Sequence, residues 1–205
     1  MEKIDYKKTL KHLYAPSTKT PEIIEVPDMN FLMIDGEGNP NTSTAYKQAV
    51  EALYGLAYTI KFAVKKGEAI DYSVFPLEGL WWADDMNAFI LGERDDWRWT
   101  MMIAQPEFVT PVHVETAIAE ARRKKELPAL DMVRFQPYAE GLSAQLMHLG
   151  PYTAEGPTIQ KLHQFITDQG CALRGLHHEI YLGDPRRTAP EKLKTVLRQP
   201  VQKPA

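Results

Sequence analysis

Alternating apolar and polar positions mark short extended runs at Glu22 to Val26, Phe31 to Asp35, Met132 to Phe135 and Leu142 to Leu149. The first two runs are joined across Pro27-Asp28 and the last two around Pro137-Tyr138-Ala139-Glu140-Gly141, so each pair reads as a hairpin. The period then changes. Tyr46, Ala49, Val50, Leu53, Ala57, Ile60 and Val64 recur at helical spacing behind a Thr42 or Ser43 N-cap, and Gly67 ends the run. Ile159, Leu162, Phe165 and Ile166 form a second such stripe, stopped by Gly170. Each helix leads into a strand that carries a glutamate, Glu78 in Phe75 to Trp82 and Glu179 in His177 to Leu182.

The shared order of hairpin, turn, helix, glycine and acidic strand predicts an internal duplication. Repeat 1 covers about 20–105 and repeat 2 about 130–200 of one domain spanning 1–205. Between them lie a tryptophan-bearing strand, Trp97 to Ile103, and a linking helix over about 110–126 with Thr110 as N-cap and Pro111 at its first position. Thr188-Ala189-Pro190-Glu191 has capping-box spacing, which predicts a last short helix through Leu193, Val196 and Leu197 before a frayed tail over 200–205.

Strand parity sorts the chemistry. His177, Glu179 and Tyr181 point one way and His178, Ile180 and Leu182 the other, so one face reads as core and the other as a site. Glu78 shares parity with Trp82 unless Gly79 introduces a bulge. Two acids on matching strands predict one pocket between two halves. A desolvated strand glutamate can act as a base or attract a cation. The alternative is a buried glutamate satisfied by tyrosine hydroxyls or backbone amides. The aromatic residues Trp81, Trp82, Trp97, Trp99, Tyr138, Tyr152 and Tyr181 offer flat faces for planar or cationic molecules, although a tryptophan stripe is ordinarily core.

Composition narrows the partners. Among 205 residues, 24 basic side chains stand against 27 acidic ones, a net charge of −3 that gives no drive toward nucleic acid. Arg122-Arg123-Lys124-Lys125 and Arg186-Arg187 read as solvated surface. The single cysteine, Cys171, reads as a structural thiol, and neither a secretory signal nor a long apolar run is present, so a cytoplasmic protein without membrane contact is expected. The six histidines are scattered and no phosphate loop or serine elbow exists, so neither a metal nor a cofactor is expected.

The run His178-Glu179-Ile180-Tyr181-Leu182-Gly183-Asp184-Pro185-Arg186-Arg187, followed by Glu191 to Arg198, resembles the C-terminal end of the GyrI-like small-molecule-binding family. Pro76-Leu77-Glu78-Gly79-Leu80-Trp81-Trp82 and Leu149-Gly150-Pro151-Tyr152 are also similar to its members, and the likeness covers nearly the full chain. The resemblance implies an α+β fold of tandem SHS2-like repeats, with an antiparallel sheet, helices on one side and a ligand cleft between pseudo-symmetric halves. It implies bulky, hydrophobic or cationic aromatic ligands. In multidrug-responsive activators of this family a buried strand glutamate meets the ligand's positive charge, and Glu179 matches that position.

Those activators carry an N-terminal DNA-binding segment, whereas this chain starts almost directly with the repeat, which disfavours direct nucleic-acid binding. Stand-alone relatives resemble hydrolases that open the cyclopropane of DNA-alkylating compounds. Carried over, Glu179 is the principal base and Glu78 the second candidate, with Trp82, Tyr138, Tyr152 and Tyr181 as walls and Trp81 and Trp99 as further ligand-binding candidates. The alternatives are a drug-sequestering or effector-sensing module without catalysis, or a gyrase-inhibitor-like protein.

Overall fold

The computed structural model describes residues 3–83, 96–124 and 126–203. Strands β2 (Glu22–Val26) and β3 (Met29–Glu37) precede helix α3 (Thr44–Gly67), then β5 (Leu77–Trp82), β6 (Arg98–Gln105) and helix α4 (Pro111–Lys124). Strands β7 (Arg134–Tyr138) and β8 (Gly141–Leu149) precede helix α5 (Gly156–Asp168), then β10 (His177–Tyr181) and β11 (Lys194–Gln202). Short pieces complete the chain: β1 (Lys3–Ile4), α1 (Tyr6–Thr9), α2 (Lys11–Tyr14), β4 (Asp71–Tyr72) and β9 (Ala172–Leu173).

The main sheet runs β2-β8-β11-β10-β5-β6-β3-β7, which reads the same from either end when β2 is matched with β7, β3 with β8, β5 with β10 and β6 with β11. All neighbours along this path are antiparallel. The seam between the halves is the β5–β10 pair, made of the two acidic strands. The α+β class and the helices on one side agree with the expectation, but the hairpins do not form. β2 pairs with β8 and β7 with β3, so each half lends its first strand to the other. A two-residue hairpin favours positive φ at its centre. Proline fixes a negative φ at position 27, and neither Pro27 nor Asp28 has a positive φ, so the chain carries β2 away from β3.

Ser43 caps α3 by accepting the Tyr46 N–H at 3.2 Å. The helix buries Leu53, Leu56, Ala57, Ile60 and Val64 on the β3 and β6 side, while α5 closes a second cluster of Leu162 and Ile166 on Ala144, Leu146 and Leu197. Fully burying a leucine- or isoleucine-sized side chain stabilises by about 1.5–3 kcal/mol, so these stripes fix both helices on the same face. α4 packs on α3 from outside.

The expected last helix is instead a single 3-10 turn, Pro190–Lys192, followed by β11. Pairing with β8 on one edge and β10 on the other overrides the local capping signal, and buried Pro200 and Val201 extend the strand into the supposed tail. Among the described residues no helix is long and apolar enough to cross a membrane.

Candidate functional site

The β5–β10 register decides which side chains meet. Glu179 stands opposite Gly79, His177 opposite Trp81 and Ile180 opposite Glu78, and directly paired residues share a face. Glu179, His177, Tyr181, Gly79 and Trp81 therefore lie on the face that carries α3 and α5, over the strip between the two helices. Glu78 and Trp82 lie on the other face together with His178. The expectation of one pocket using both glutamates is corrected by this register, which runs from Leu77 to Trp81 without a bulge at Gly79. Tyr138, paired with Met29 in line with Phe31 on that same far face, packs edge-on against Phe31. It too stands apart from Glu179.

On the helix side, Tyr181 Oη donates to Glu179 Oε2 at 2.8 Å, and the Trp81 indole N–H donates to Tyr181 Oη at 2.9 Å. The other carboxylate oxygen, Oε1, lies 3.3 Å from His177 Nε2. The Glu179 side chain is 10% exposed, and among the described residues no lysine or arginine pairs with it. A buried carboxylate of this kind has few donors relative to its acceptor capacity and attracts a cation or a polar hydrogen. Burial and then the Glu179 charge hold the Tyr181 hydroxyl well above its ordinary pKa, so it remains a donor.

Aromatic rings surround this group. Tyr46, from the first turns of α3, stacks on Trp81 at a centroid distance of 6.1 Å and meets Trp99 edge-on at 5.3 Å. Tyr152, from the turn after β8, meets Tyr181 edge-on at 5.4 Å. Burial, followed by the Glu155 and Glu179 charges, pushes the Tyr152 hydroxyl up to about 12. Trp97 packs edge-on against Trp81 at 5.5 Å. Trp99 itself is buried, its ring pressed on Gly36, where an added Cβ would fall 2.1 Å from its Cη2, so it acts as support for Tyr46. Gly79 serves Trp81 in the same way: a Cβ there would lie 2.7 Å from the indole Nε1.

Sequence reasoning missed Tyr46, His148 and His163. His148 binds Thr158 Oγ1 through Nδ1 at 2.9 Å, tying β8 to α5. Burial, then the neighbouring His177, lowers the pKa of His163. The helical periodicity that marked Tyr46 as core-facing was the one available signal.

The far face holds a buried ionic network that parity alone did not reveal. His178 Nε2 contacts Glu78 Oε2 and its Nδ1 contacts Glu140 Oε1, each at 2.9 Å. An imidazole donates from both nitrogens only when protonated. Burial opposes that charge, but Glu140 and Glu78 outweigh it and raise the His178 pKa to about 9. Burial likewise opposes ionised Glu140, yet His178 and Arg198 bring it down to about 2. Arg198 reaches Glu140 Oε2 at 3.1 Å and the Leu13 carbonyl at 2.7 Å, and Tyr14 Oη donates to Glu78 Oε1 at 3.2 Å. The N-terminal segment thus seals this network from solvent. It makes Glu78 a structural carboxylate.

Among the described residues no cluster of histidine, cysteine or acidic side chains has the geometry to hold a metal. A groove of about 540 Å³ between α3 and α4, lined by Phe62, Lys66, Glu120 and Lys124, is remote from Glu179 and presents only surface groups. The sequence leaves open whether the loop over 83–96 covers the cleft, and that loop falls largely outside the described residues.

A family model described as a GyrI-like small molecule binding domain matches residues 19–202. The chain is similar to an uncharacterized conserved protein from Listeria innocua, with 45% identity, 97% of this chain and 100% of that chain covered, and a TM-score of 0.89. It is equally similar to a hydrolase from Listeria innocua, with 44% identity, 98% and 100% coverage and a TM-score of 0.88. The C-terminal domain of EcmrR, at 15% identity, 90% and 98% coverage and a TM-score of 0.55, shares the fold alone. No curated protein matches the chain.

Proposed function

Because the chain belongs to the GyrI-like small-molecule-binding family, we propose that it binds bulky planar or cationic aromatic molecules over the β5–β10 seam and hydrolyses reactive members of that class. The observation that carries this reading is the Glu179 carboxylate, buried among rings, fixed by Tyr181 through one oxygen and unpaired with any lysine or arginine of the described residues. Rings of Trp81, Tyr46 and Tyr152 would hold the ligand by stacking and cation–π attraction, worth roughly 0.5–2 kcal/mol per good contact.

The relative named as a hydrolase supports a water-adding reaction. In a cyclopropane conjugated to a carbonyl, the oxygen of a water oriented by Glu179 bonds to a ring carbon. The ring C–C bond breaks, its electron pair reaches the carbonyl oxygen, and Glu179 takes the water proton. The net change is one added water. Such an activity would detoxify DNA-alkylating compounds inside the cell. Incubating the protein with a cyclopropane-bearing alkylator should yield, by mass spectrometry, a product heavier by one water. Unchanged compound together with quenched tryptophan fluorescence would instead indicate a binding module without catalysis.

A further inference from the structure

The two oxygens of Glu179 have unlike neighbours. Oε2 receives the Tyr181 hydroxyl, which stays protonated because burial and the carboxylate itself hold its pKa high. Oε1 lies 3.3 Å from the Nε2 of His177, an imidazole on the same strand and the same face. A glutamate that draws a proton from water must lose it before the next turnover. Tyr181 already carries its proton and cannot take another. A neutral imidazole can, because one of its ring nitrogens is an acceptor.

We propose that His177 is the proton-accepting partner of Glu179, an assignment that rests on the hydrolytic reading. The attacking water gives its oxygen to the ring carbon and its proton to Glu179, and the opened ring's electron pair ends on the carbonyl oxygen. The proton then passes from Glu179 Oε1 to His177 Nε2 and on to solvent, from which the product oxyanion is protonated, so the sum remains one added water.

The surroundings suit a transient imidazolium. Trp81 is the direct cross-strand neighbour of His177, so an aromatic ring flanks it on the shared face. On α5, burial and then His177 itself lower the pKa of His163, which makes that histidine a weaker electrostatic opponent of proton uptake. Glu179 supplies the compensating negative charge from two residues along β10.

The test uses the full chain with a cyclopropane-bearing alkylator and two variants, His177→Gln and His177→Ala, whose folding is checked by thermal melting. Loss of general acid–base help predicts a fall in kcat of about 100-fold in each. The ligand Kd, read by tryptophan quenching, should change by less than about three-fold. Added imidazole should restore at least about ten-fold of the lost rate in His177→Ala, a rescue that a merely structural histidine would not show. The inference is overturned if either folded variant keeps kcat within about three-fold of wild type, or if His177→Ala shows no rescue. Those results leave the hydrolytic reading standing, provided Glu179→Gln abolishes turnover. Absence of product with wild-type protein overturns both.

Discussion

His178 and Glu179 are adjacent on β10 yet serve opposite faces of the sheet: His178 bridges Glu78 and Glu140 at 2.9 Å each, while Glu179 takes the Tyr181 hydroxyl at 2.8 Å. The strand that presents the candidate base is thus anchored from behind by a buried cation. Glu78 lies on β5, His178 on β10 and Glu140 between β7 and β8, so the same contacts clamp the β5–β10 seam.

Breaking that clamp should be costly. Removing one member of a buried charge network leaves an uncompensated charge, a loss of about 3–5 kcal/mol. Glu140→Gln and Arg198→Met are each expected to lose stability in that range by urea unfolding. A loss below about 1 kcal/mol, the size of an exposed pair, would show that solvent reaches the network.

The clamp also sets a pH profile. His178 is raised from 6.5 to about 9, so its contribution is complete below pH 6.5 and is lost as pH rises through about 9. Glu140 is lowered from 4.5 to about 2, so its contribution is complete above pH 4.5 and disappears as pH falls through about 2. The melting temperature should therefore hold between pH 4.5 and 6.5 and decline toward pH 9. In His178→Gln the alkaline decline should flatten. An equal alkaline slope in both proteins would remove His178 as its source.

Gly79 links fold to site. A Cβ there would come within 2.7 Å of Trp81 Nε1 and 3.2 Å of Met101 Sδ, so Gly79→Ala must move the indole that donates to Tyr181. Overpacking of this sort costs about 1–3 kcal/mol. The variant should melt earlier and show shifted tryptophan emission, together with weaker binding of planar ligands. Unaltered emission and affinity would mean that the Trp81 position does not matter.

The three long helices and the two acidic strands were legible because amphipathic period and strand parity are local properties. Strand partners were not. Pro27 forbids the tight turn that the spacing of β2 and β3 invited, and the exchange with β7 and β8 depends on pairing across more than a hundred residues. The same holds for Glu78, Trp82 and Tyr138: parity orders residues within a strand, but only the Ile180–Glu78 register shows which faces coincide. Gln145, Arg198 and Tyr14 gave no local signal because their partners lie far along the chain, including the His12 and Leu13 carbonyls of a segment that precedes the family match.

The central claim is that a ligand's positive or polarised centre meets Glu179 between the aromatic rings. The most direct measurement is a tryptophan-quenching titration of wild type and Glu179→Gln with a planar aromatic cation and its neutral analogue. Removing a buried charge that contacts a cation is expected to weaken cation binding by at least about ten-fold, while the neutral analogue binds both proteins alike. Equal affinity of both proteins for the cation would contradict the claim.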